Sequence, residues 1–142
     1  MIEPNAKLVQ DAYAAFGRGD IPAVLAMMTP DVTIGIVGRR SDAPFLGLFS
    51  GLEGAGEFFS ALDAAHEISA FEPLRFAAAE DMVFIWGRYR WRMRRSGVAD
   101  ETEWLHVITI RDGKLAKWLG HNDTAMLAQA YHAAPVKRAV NG

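Results

Sequence analysis

A histidine and an aspartate lie two residues apart, at His121 and Asp123, at the end of a largely apolar stretch. This stretch is the second of two that flank the turn-forming pair Asp112-Gly113, so the sequence predicts a β-hairpin. Side chains alternate between the two faces of a strand, and we therefore expect His121 and Asp123 to share a face. An imidazole beside a carboxylate can move protons, which makes this pair the first candidate for catalysis.

Each member of the pair also has a structural interpretation. Burial in an apolar environment would suit the carboxyl group of Asp123 to proton transfer near neutral pH. The same residue is a typical N-cap, because Asp123-Thr124 precedes a predicted short helix. His121 would be the partner base or would orient a substrate, or it would be a hydrogen-bonded histidine at a pocket rim without a chemical role. Both alternatives stay open for both residues.

The pairing of the hairpin decides which residues accompany this pair. A two-residue loop, Asp112-Gly113, would place Trp104 opposite His121 and His106 opposite Leu119. All four side chains would then lie on one face of the sheet, because residues two apart in a strand share a face. That version brings two histidines and an aspartate together.

A three-residue loop, with a bulge at Gly113, would shift the pairing by one residue. Leu105 and Glu103 would then join the candidate pair, and His106 would lie on the other face beside Trp118. Both loops suit the sequence.

Arginines alternate with other residues along the strand predicted over 82–95. The alternation indicates a charged face opposite an apolar one, and we prefer that interpretation for the two arginines nearest its end. Arg88 lies deeper in the strand, where it would bind a substrate carboxylate or enolate, or pair with Asp123. Trp86 belongs to a set of aromatic residues that exceeds the needs of a small core and fits a pocket walled by aromatic rings.

The elements that would position these residues follow from hydrophobic periodicity. It predicts helices over 5–16, 20–28, 52–65 and 124–132, and strands over 32–37, 68–79, 82–95 and the hairpin. Asn5 and Asp20 are the expected caps of the first two helices, and Pro73 indicates an edge strand or a bulge. The loop over 38–51 contains apolar residues, so we expect it to pack as a lid or a dimer contact. Helices followed by consecutive antiparallel strands are typical of the α+β class.

Length and composition limit the domain organisation and the classes of function that the protein can have. The 142 residues fit one domain, which we place at 1–134, with a tail at 135–142 that we expect to be disordered. The net charge of −2 gives no reason to expect nucleic acid. There is no cysteine, no signal-like N-terminus and no apolar run that would span a membrane, so we expect a cytoplasmic protein without membrane partners.

Metal and cofactor motifs are missing from the sequence. The four histidines, His66, His106, His121 and His132, lack the spacing of metal ligands. No serine lies in a nucleophile motif, and there is no glycine-rich phosphate loop. We therefore expect neither a metal nor a cofactor.

Several short segments match one family in order and over nearly the whole chain. They are Tyr13-Ala14-Ala15-Phe16-Gly17-Arg18-Gly19-Asp20, Leu25 through Asp31-Val32, Gly51-Leu52-Glu53-Gly54 with Phe58-Phe59, Arg111-Asp112-Gly113-Lys114 and Asp123-Thr124-Ala125. On these segments the chain resembles the nuclear transport factor 2-like (NTF2-like) superfamily, in particular its SnoaL-like polyketide cyclase branch. The resemblance implies an α+β, cystatin-like fold: a cone-shaped, curved, mostly antiparallel sheet closed by N-terminal helices around an apolar pocket. It also implies a homodimer packed through the sheet.

The resemblance bears on the candidate residues. Asp123 matches the acidic position that ends the last strand in SnoaL-like cyclases and in limonene epoxide hydrolase-like members. The Asp-Arg-Asp set of those hydrolases would put its arginine at Arg88, but its first acid falls on Arg90, so we do not expect that mechanism. The polar positions of ketosteroid isomerases fall on apolar residues here, which argues against steroid isomerisation in the same way.

Two further residues gain a role from the resemblance. Pocket-facing tyrosines occur on the first helix of this fold, which makes Tyr13 a candidate substrate contact as well as a core or pocket-wall residue. The resemblance favours the bulged hairpin, so we rank His106 below His121 and expect it on the packed outer face, as an interface residue, while keeping it as a possible substrate contact.

These observations predict a cofactor-free enzyme that acts on a small, largely apolar molecule by isomerisation, cyclisation or dehydration. Asp123 would move a proton, His121 would assist and Arg88 would stabilise negative charge, with Tyr13, Trp86 and His106 as substrate contacts. One alternative is a non-catalytic binding module with the same pocket. A third is a dimeric structural protein whose own side chains fill the cavity.

Overall fold

A computed structural model describes residues 3–136 of the chain. Four helices and six strands occur within this part of the chain, and the predicted α+β class is confirmed. Their order is α1 (Pro4–Gly17), α2 (Ile21–Ala26), β1 (Met28–Ile36), β2 (Gly47–Ser50), α3 (Gly51–Ala65), β3 (His66–Ala79), β4 (Met82–Met93), β5 (Ala99–Arg111), β6 (Lys114–Asn122) and α4 (Thr124–His132). The tail predicted over 135–142 lies, from residue 137 onward, outside the described residues.

The six strands form one curved, unclosed sheet in the order β2-β1-β6-β5-β4-β3. Strands β1 and β6 pair in parallel, and every other neighbouring pair is antiparallel. Strand β3 is an edge, with an irregular register between Pro73 and Arg75. This confirms the prediction from Pro73, which has no N–H group to donate to a second neighbouring strand.

Helices α1 and α2 each begin after a residue whose side chain caps the helix. One of the two predicted caps is confirmed and the other is wrong. Asp20 caps α2 as predicted, because its carboxylate accepts a hydrogen bond of 3.1 Å from the N–H of Ala23. The predicted cap of α1, Asn5, is wrong, since Glu3 accepts from the N–H of Ala6 at 2.9 Å. Pro4 explains the difference, because proline is favoured at the first helical position, which puts the cap at residue 3, two residues upstream of the predicted one.

The middle of the segment over 38–51 packs into the core instead of forming a lid, whereas residues 38–41 are exposed. It contains β2, which pairs with β1, and both Phe45 and Leu46 are fully buried. Gly35 permits the close approach of the two strands, because a Cβ atom there would lie 2.1 Å from the carbonyl oxygen of Gly47. A segment buried in this way packs as a fixed part of the fold.

Strand β4 shows how the sheet separates its two faces. Its odd-numbered residues are buried beneath the helices, whereas its even-numbered residues, including Trp86 and Arg88, are exposed or half-buried on the outer face. The alternation has the period of two that a strand imposes. Every residue at an even position of β4 is thereby directed away from the interior.

Among residues 3–136, no helix is long and apolar enough to cross a membrane. In the same part of the chain, no group of three or more histidine or acidic side chains has the arrangement of a metal site.

Candidate functional site

A cavity lies between the inner face of the sheet and helices α1 and α3. Its lining is almost entirely apolar and aromatic: Tyr13, Phe16, Ile34, Gly35, Ile36, Phe58, Phe59, Leu62, Ile68, Phe71, Tyr89, Trp104, His106, Trp118, Gly120 and Asn122. The cavity has a volume of about 60 Å³. An engineered cavity that takes up benzene has roughly 150 Å³. A ring-sized ligand therefore requires some lining side chains to move.

One wall of the cavity is suited to such movement. Beyond it, a wide surface groove runs between helices α1 and α3 and the edge strand β3, and five apolar side chains line both spaces: Phe16, Phe59, Leu62, Ile68 and Phe71. They separate the cavity from solvent. Movement of these five side chains would join the cavity to the groove.

The hairpin combines features of both predicted versions. Its loop has two residues, Asp112 and Gly113, which both have positive φ angles of 52° and 73°, as a type I′ turn requires. Farther along, Ile110 pairs with Leu115 but Thr109 pairs with Lys117, so one extra residue is accommodated in β6. This bulge shifts all later pairs by one residue.

The shifted register places Leu105 opposite His121 and Trp104 opposite Asn122. His106 therefore lies on the same face as Trp118, as in the bulged version. That face is the inner one, so the expectation that His106 lies on the packed outer face is wrong. The alternation alone did not show which of the two faces meets the helices.

Asp123 and His121 do not reach the cavity. Both side chains are exposed, and Asp123 accepts a hydrogen bond of 3.0 Å from the N–H of Met126 as the cap of α4. The capping interpretation is confirmed, and the expected location of the pair at the end of an apolar pocket is wrong. Strand β6 ends at Asn122, so the next residue begins the helix instead of continuing the strand.

Arg88 and Trp86 also lie outside the cavity, on the outer face. Arg88 is close to Glu72 and Glu101, with N–O distances of 3.3 and 3.4 Å, and these ion pairs account for its charge. The indole N–H of Trp86 donates to Glu103 over 3.4 Å. The predicted substrate contacts at these two positions are therefore not at the cavity, because even positions of β4 point outward.

Tyr13 and His106 do line the cavity and contact each other. The Tyr13 hydroxyl lies 2.7 Å from Nδ1 of His106, and the indole N–H of Trp118 donates to the same nitrogen over 3.0 Å. An indole nitrogen is a donor only, so Nδ1 is the accepting nitrogen and the ring proton of the neutral imidazole lies on Nε2. Among residues 3–136, that Nε2–H has no hydrogen-bond partner and remains available to a ligand.

Burial keeps both groups uncharged. It lowers the pKa of His106 to about 3, with a smaller contribution from the nearby His121, so the imidazole is neutral at ordinary pH. Burial also raises the pKa of Tyr13 well above its usual value. The phenol therefore keeps its proton and can donate it in a hydrogen bond to Nδ1.

Stacked rings hold His106 in place. The rings of His106 and Trp104 are 4.0 Å apart at an angle of 23°, and Phe71 also stacks on Trp104, at 4.8 Å and an angle of 14°. Gly87, opposite Trp104 on β4, makes room for this stack. A Cβ atom at Gly87 would lie 2.3 Å from Cζ2 of the indole, so only glycine fits beneath the ring.

A second polar group, around Tyr89, borders the cavity. His66 is buried, with its Nδ1 2.8 Å from the carbonyl oxygen of Leu62 and its Nε2 3.3 Å from the Tyr89 hydroxyl. Burial raises the pKa of Tyr89, and hydrogen bonds from the side chains of Thr102 and Asn122 partly oppose this. His66 thus donates to Leu62 and accepts from Tyr89.

Sequence reasoning missed Tyr89 and Asn122 as members of the site, and it included Trp104 and Trp118 only in the set of aromatic residues that fits a pocket wall. The available signal was the alternation of Trp118, Gly120 and Asn122 along β6, which marks one face of the strand. The sequence interpretation gave more weight to the charged and titratable residues on the opposite face of the strand, and therefore chose that face.

The cavity offers neutral hydrogen-bond donors in an apolar environment. None of the residues that line it is an aspartate or a glutamate. Such a site can bind a carbonyl oxygen through the Nε2–H of His106 and stabilise negative charge that develops there, since hydrogen-bond donors act strongly in an apolar environment.

Comparison with known proteins gives a consistent result. The model of the SnoaL-like domain family matches residues 9–118, whereas no curated protein matches the sequence. An NTF2-like protein of unknown function from Burkholderia pseudomallei is 24% identical, with a TM-score of 0.85 over 93% of this chain and 100% of that one. An NTF2-like protein from Burkholderia xenovorans is 29% identical, with a TM-score of 0.81 over 91% and 96%. The structure of TerC co-crystallised with polyporic acid is 24% identical, with a TM-score of 0.79 over 92% and 100%. Other solved structures of this fold include proteins provisionally named as isomerases and polyketide cyclases.

Proposed function

The chain belongs to the SnoaL-like domain family of the NTF2-like superfamily, and from this premise we propose that it binds a small, mainly apolar ketone and promotes its isomerisation, cyclisation or dehydration. The observation that carries the proposal is the neutral imidazole of His106 at an apolar cavity, with an unpartnered Nε2–H. No cofactor takes part in the proposed chemistry. TerC, crystallised with polyporic acid, supports the idea that this fold takes up small molecules.

His106 acts in this proposal as a hydrogen-bond donor rather than as a base. When a ketone loses a proton from the carbon next to its carbonyl group, the electron pair moves onto the carbonyl oxygen. The Nε2–H of His106 would donate to that oxygen and stabilise the enolate, as neutral imidazoles do in other enzymes. A water molecule would accept the proton, and in a β,γ-unsaturated ketone the return of a proton to the γ carbon would complete an isomerisation.

Tyr13 would be the second substrate contact. Its hydroxyl shares Nδ1 of His106 with the indole N–H of Trp118. Because Trp118 alone can satisfy the one lone pair of Nδ1, the Tyr13 hydroxyl is free to turn toward the ligand oxygen. Two neutral donors on one oxygen would bind an enolate more strongly than a ketone.

A non-catalytic binding protein is the second candidate. The observation in its favour is the lack of a carboxylate among the residues that line the cavity, because enzymes that move protons commonly place a base within reach of the substrate. Binding without turnover would then be the whole function. The two candidates share the ligand class and differ only in catalysis.

We also propose that a second copy of the chain covers the outer face of the sheet. Trp86 and Leu105 are each 41% exposed there, beside the half-buried Phe84, Val107 and Leu119. An exposed apolar patch on a sheet is typical of a protein–protein interface. Sedimentation of the purified protein would give a dimer, and Leu105→Glu would give a monomer.

The exchange of deuterium into acetophenone tests the main proposal. We expect the protein to accelerate exchange at the methyl group next to the carbonyl, measured by proton NMR in deuterated water. His106→Phe keeps a stacked ring but removes the N–H, and we expect it to reduce the acceleration by about 10²-fold. His121→Phe, the same change at the exposed histidine, is the matched control and would leave it unaltered.

The outcomes separate the candidates. Binding of acetophenone without faster exchange would support the non-catalytic alternative, provided that His106→Phe weakens the binding. Equal behaviour of the two histidine variants would contradict both candidates.

A further inference from the structure

The indole of Trp118 is held in a fixed position against His106. Trp118 lies in the middle of the sheet, opposite Ile34 on β1 and Ile108 on β5, and it is only 7% exposed. Its ring meets the imidazole of His106 edge-on, with the ring centres 5.6 Å apart at an angle of 68°. The indole N–H donates to Nδ1 of His106 over 3.0 Å. A donor packed between two strands in this way cannot turn to water without disrupting the sheet.

The two partners of this nitrogen differ in what they can do. In the part of the chain that the structure describes, Nδ1 of His106 has two side-chain partners, the hydroxyl of Tyr13 at 2.7 Å and the indole of Trp118. A hydroxyl group can donate or accept, so it suits a neutral imidazole with its proton on either nitrogen. An indole N–H can only donate, so it suits only the form with the proton on Nε2. Trp118 is therefore the partner that distinguishes the two forms.

A proton on Nδ1 would cost the wild-type protein a hydrogen bond. The indole N–H of Trp118 would then face another N–H group, and its burial would leave it without a partner. An unpaired buried donor carries a penalty that corresponds to about tenfold in an equilibrium constant. Without the indole N–H, each form of His106 would make one hydrogen bond with the Tyr13 hydroxyl, which would donate to one form and accept from the other. The penalty would then disappear.

We propose that Trp118 is a positioning residue that fixes the proton of His106 on Nε2 and thereby selects ligands whose polar group accepts a hydrogen bond. This step rests on the proposed function, in which Nε2 of His106 contacts the ligand. A carbonyl oxygen accepts from the Nε2–H, whereas a ligand that can only donate, such as pyrrole, meets a second donor there. The discrimination comes from the unfavourable meeting of two donors as well as from the favourable contact with the ketone.

Nitrogen-15 NMR of the histidine rings tests the positioning role without any ligand. We expect the wild-type protein to carry the His106 proton on Nε2. Tyr13→Phe leaves Trp118 as the partner of Nδ1, so the proton should stay on Nε2. Trp118→Phe leaves Tyr13, which suits either form, so both forms should be observed. The two variants are matched, because each removes one of the two partners of the same nitrogen.

Two small ring compounds test the selectivity. Acetophenone offers a hydrogen-bond acceptor and pyrrole offers a donor. By NMR titration we expect the preference of the wild-type protein for acetophenone over pyrrole to fall about tenfold in Trp118→Phe, because Nε2 can then accept from pyrrole. Pyrrole should also move the His106 proton to Nδ1 in this variant but not in the wild type. Trp91→Phe is the control, since it removes another buried indole N–H, which donates to Thr102 over 3.0 Å and does not line the cavity. It should keep the wild-type preference.

A second replacement removes the N–H and keeps the shape of the ring. The amino acid 3-benzothienylalanine, incorporated in place of Trp118, has sulfur where the indole has its N–H group. It therefore separates the loss of the donor from a change in the size of the cavity. We expect it to behave like Trp118→Phe in both tests. If Trp118→Phe does not fold, as judged by circular dichroism, this replacement decides.

A His106 proton that stays wholly on Nε2 in the folded proteins that lack the indole N–H of Trp118 would overturn the positioning role. The selectivity would be overturned if these proteins keep the wild-type preference for acetophenone, or if pyrrole binds to none of them. Failure of the proposed function gives a different result: acetophenone does not bind, or binds equally well to His106→Phe, while the ligand-free NMR comparison still shows the expected forms.

Discussion

Two histidines of the same hairpin, His106 and His121, have opposite environments. His106 lies on the inner face, where burial lowers its pKa to about 3 and stacked aromatic rings hold it. His121 is exposed on the outer face, and its neighbour Asp123 caps a helix. A single bulge between the turn and these residues sets which histidine faces the helices. The comparison shows that strand register, rather than the presence of an acid–base pair, creates the candidate site.

The largest effect is expected when the space beneath the Trp104 indole, on the inner face of the sheet, is filled. We expect Gly87→Val to destabilise the fold by about 3 kcal/mol, because even a Cβ atom would lie 2.3 Å from the indole. Ketone binding would be lost as well. Denaturant unfolding and calorimetry measure the two effects. Gly56→Ala, at a helical glycine with no atom within 4 Å of the added Cβ, is the control and would not destabilise. A Gly87→Val protein as stable as the wild type would show that the indole is not fixed there.

The second-largest effect is expected in the pH dependence of stability, which distinguishes the two histidines. The folded-state pKa of His106 is lowered from 6.5 to about 3. Between these values the unfolded chain takes up a proton that the folded chain does not, so stability falls as pH falls. One group contributes a slope of about 1.4 kcal/mol per pH unit. The buried His66, whose pKa burial also lowers, acts in the same direction.

Substitution separates the contribution of each histidine to this slope. Urea unfolding between about pH 6 and pH 4 should show a flatter dependence in His106→Phe than in the wild type. The matched control is His121→Phe, which removes the same type of ring from an exposed position outside the cavity. A slope that flattens in His121→Phe instead would reverse the assignment of the two faces.

Substitutions on the outer face should have little effect on ligand binding in the cavity. Asp123→Ala removes the cap of α4 and should cost about 1 kcal/mol of stability, measured by thermal unfolding. Ketone binding and exchange should be unaffected, since the Asp123 carboxylate is exposed. A loss of exchange in a folded Asp123→Ala protein would restore Asp123 as a catalytic residue.

The smallest effect is expected at Arg88. Its ion pairs with Glu72 and Glu101 are on the surface, and such pairs contribute about 0.5 kcal/mol at most positions. Arg88→Gln should therefore change neither stability nor ketone binding measurably. Weaker ketone binding in this variant would place Arg88 in contact with the ligand after all.

Local chemistry accounts for the parts of the fold that the sequence predicted correctly. Asp20 caps α2, and Pro73 marks the edge strand, because each depends on one residue and its neighbours in the chain. The family resemblance supplied the curved sheet and the helices over it. Capping by Asp123 was one of the two stated alternatives, and the local signal for it, Asp-Thr before a helix, was sound.

The site was not predictable in the same way, for two physical reasons. The bulge in β6 has no signature in the residues 115–117, so the register could not be derived from the turn. Both faces of the hairpin are also apolar: Leu105 and Leu119 lie outside, whereas Trp104 and Trp118 lie inside. Alternation therefore separates the faces without showing which one meets the helices.

The protonation state of His106 decides whether its Nε2 can donate a hydrogen bond to a ligand. Nitrogen-15 NMR of the imidazole rings reports which nitrogen carries the proton and whether the ring is charged. We predict a neutral His106 with its proton on Nε2 down to about pH 5, and a change in the Nε2 signal when acetophenone is added, with His121 unaffected. A proton on Nδ1, or a charged ring at that pH, would contradict the proposal that a neutral His106 offers its Nε2–H to the ligand.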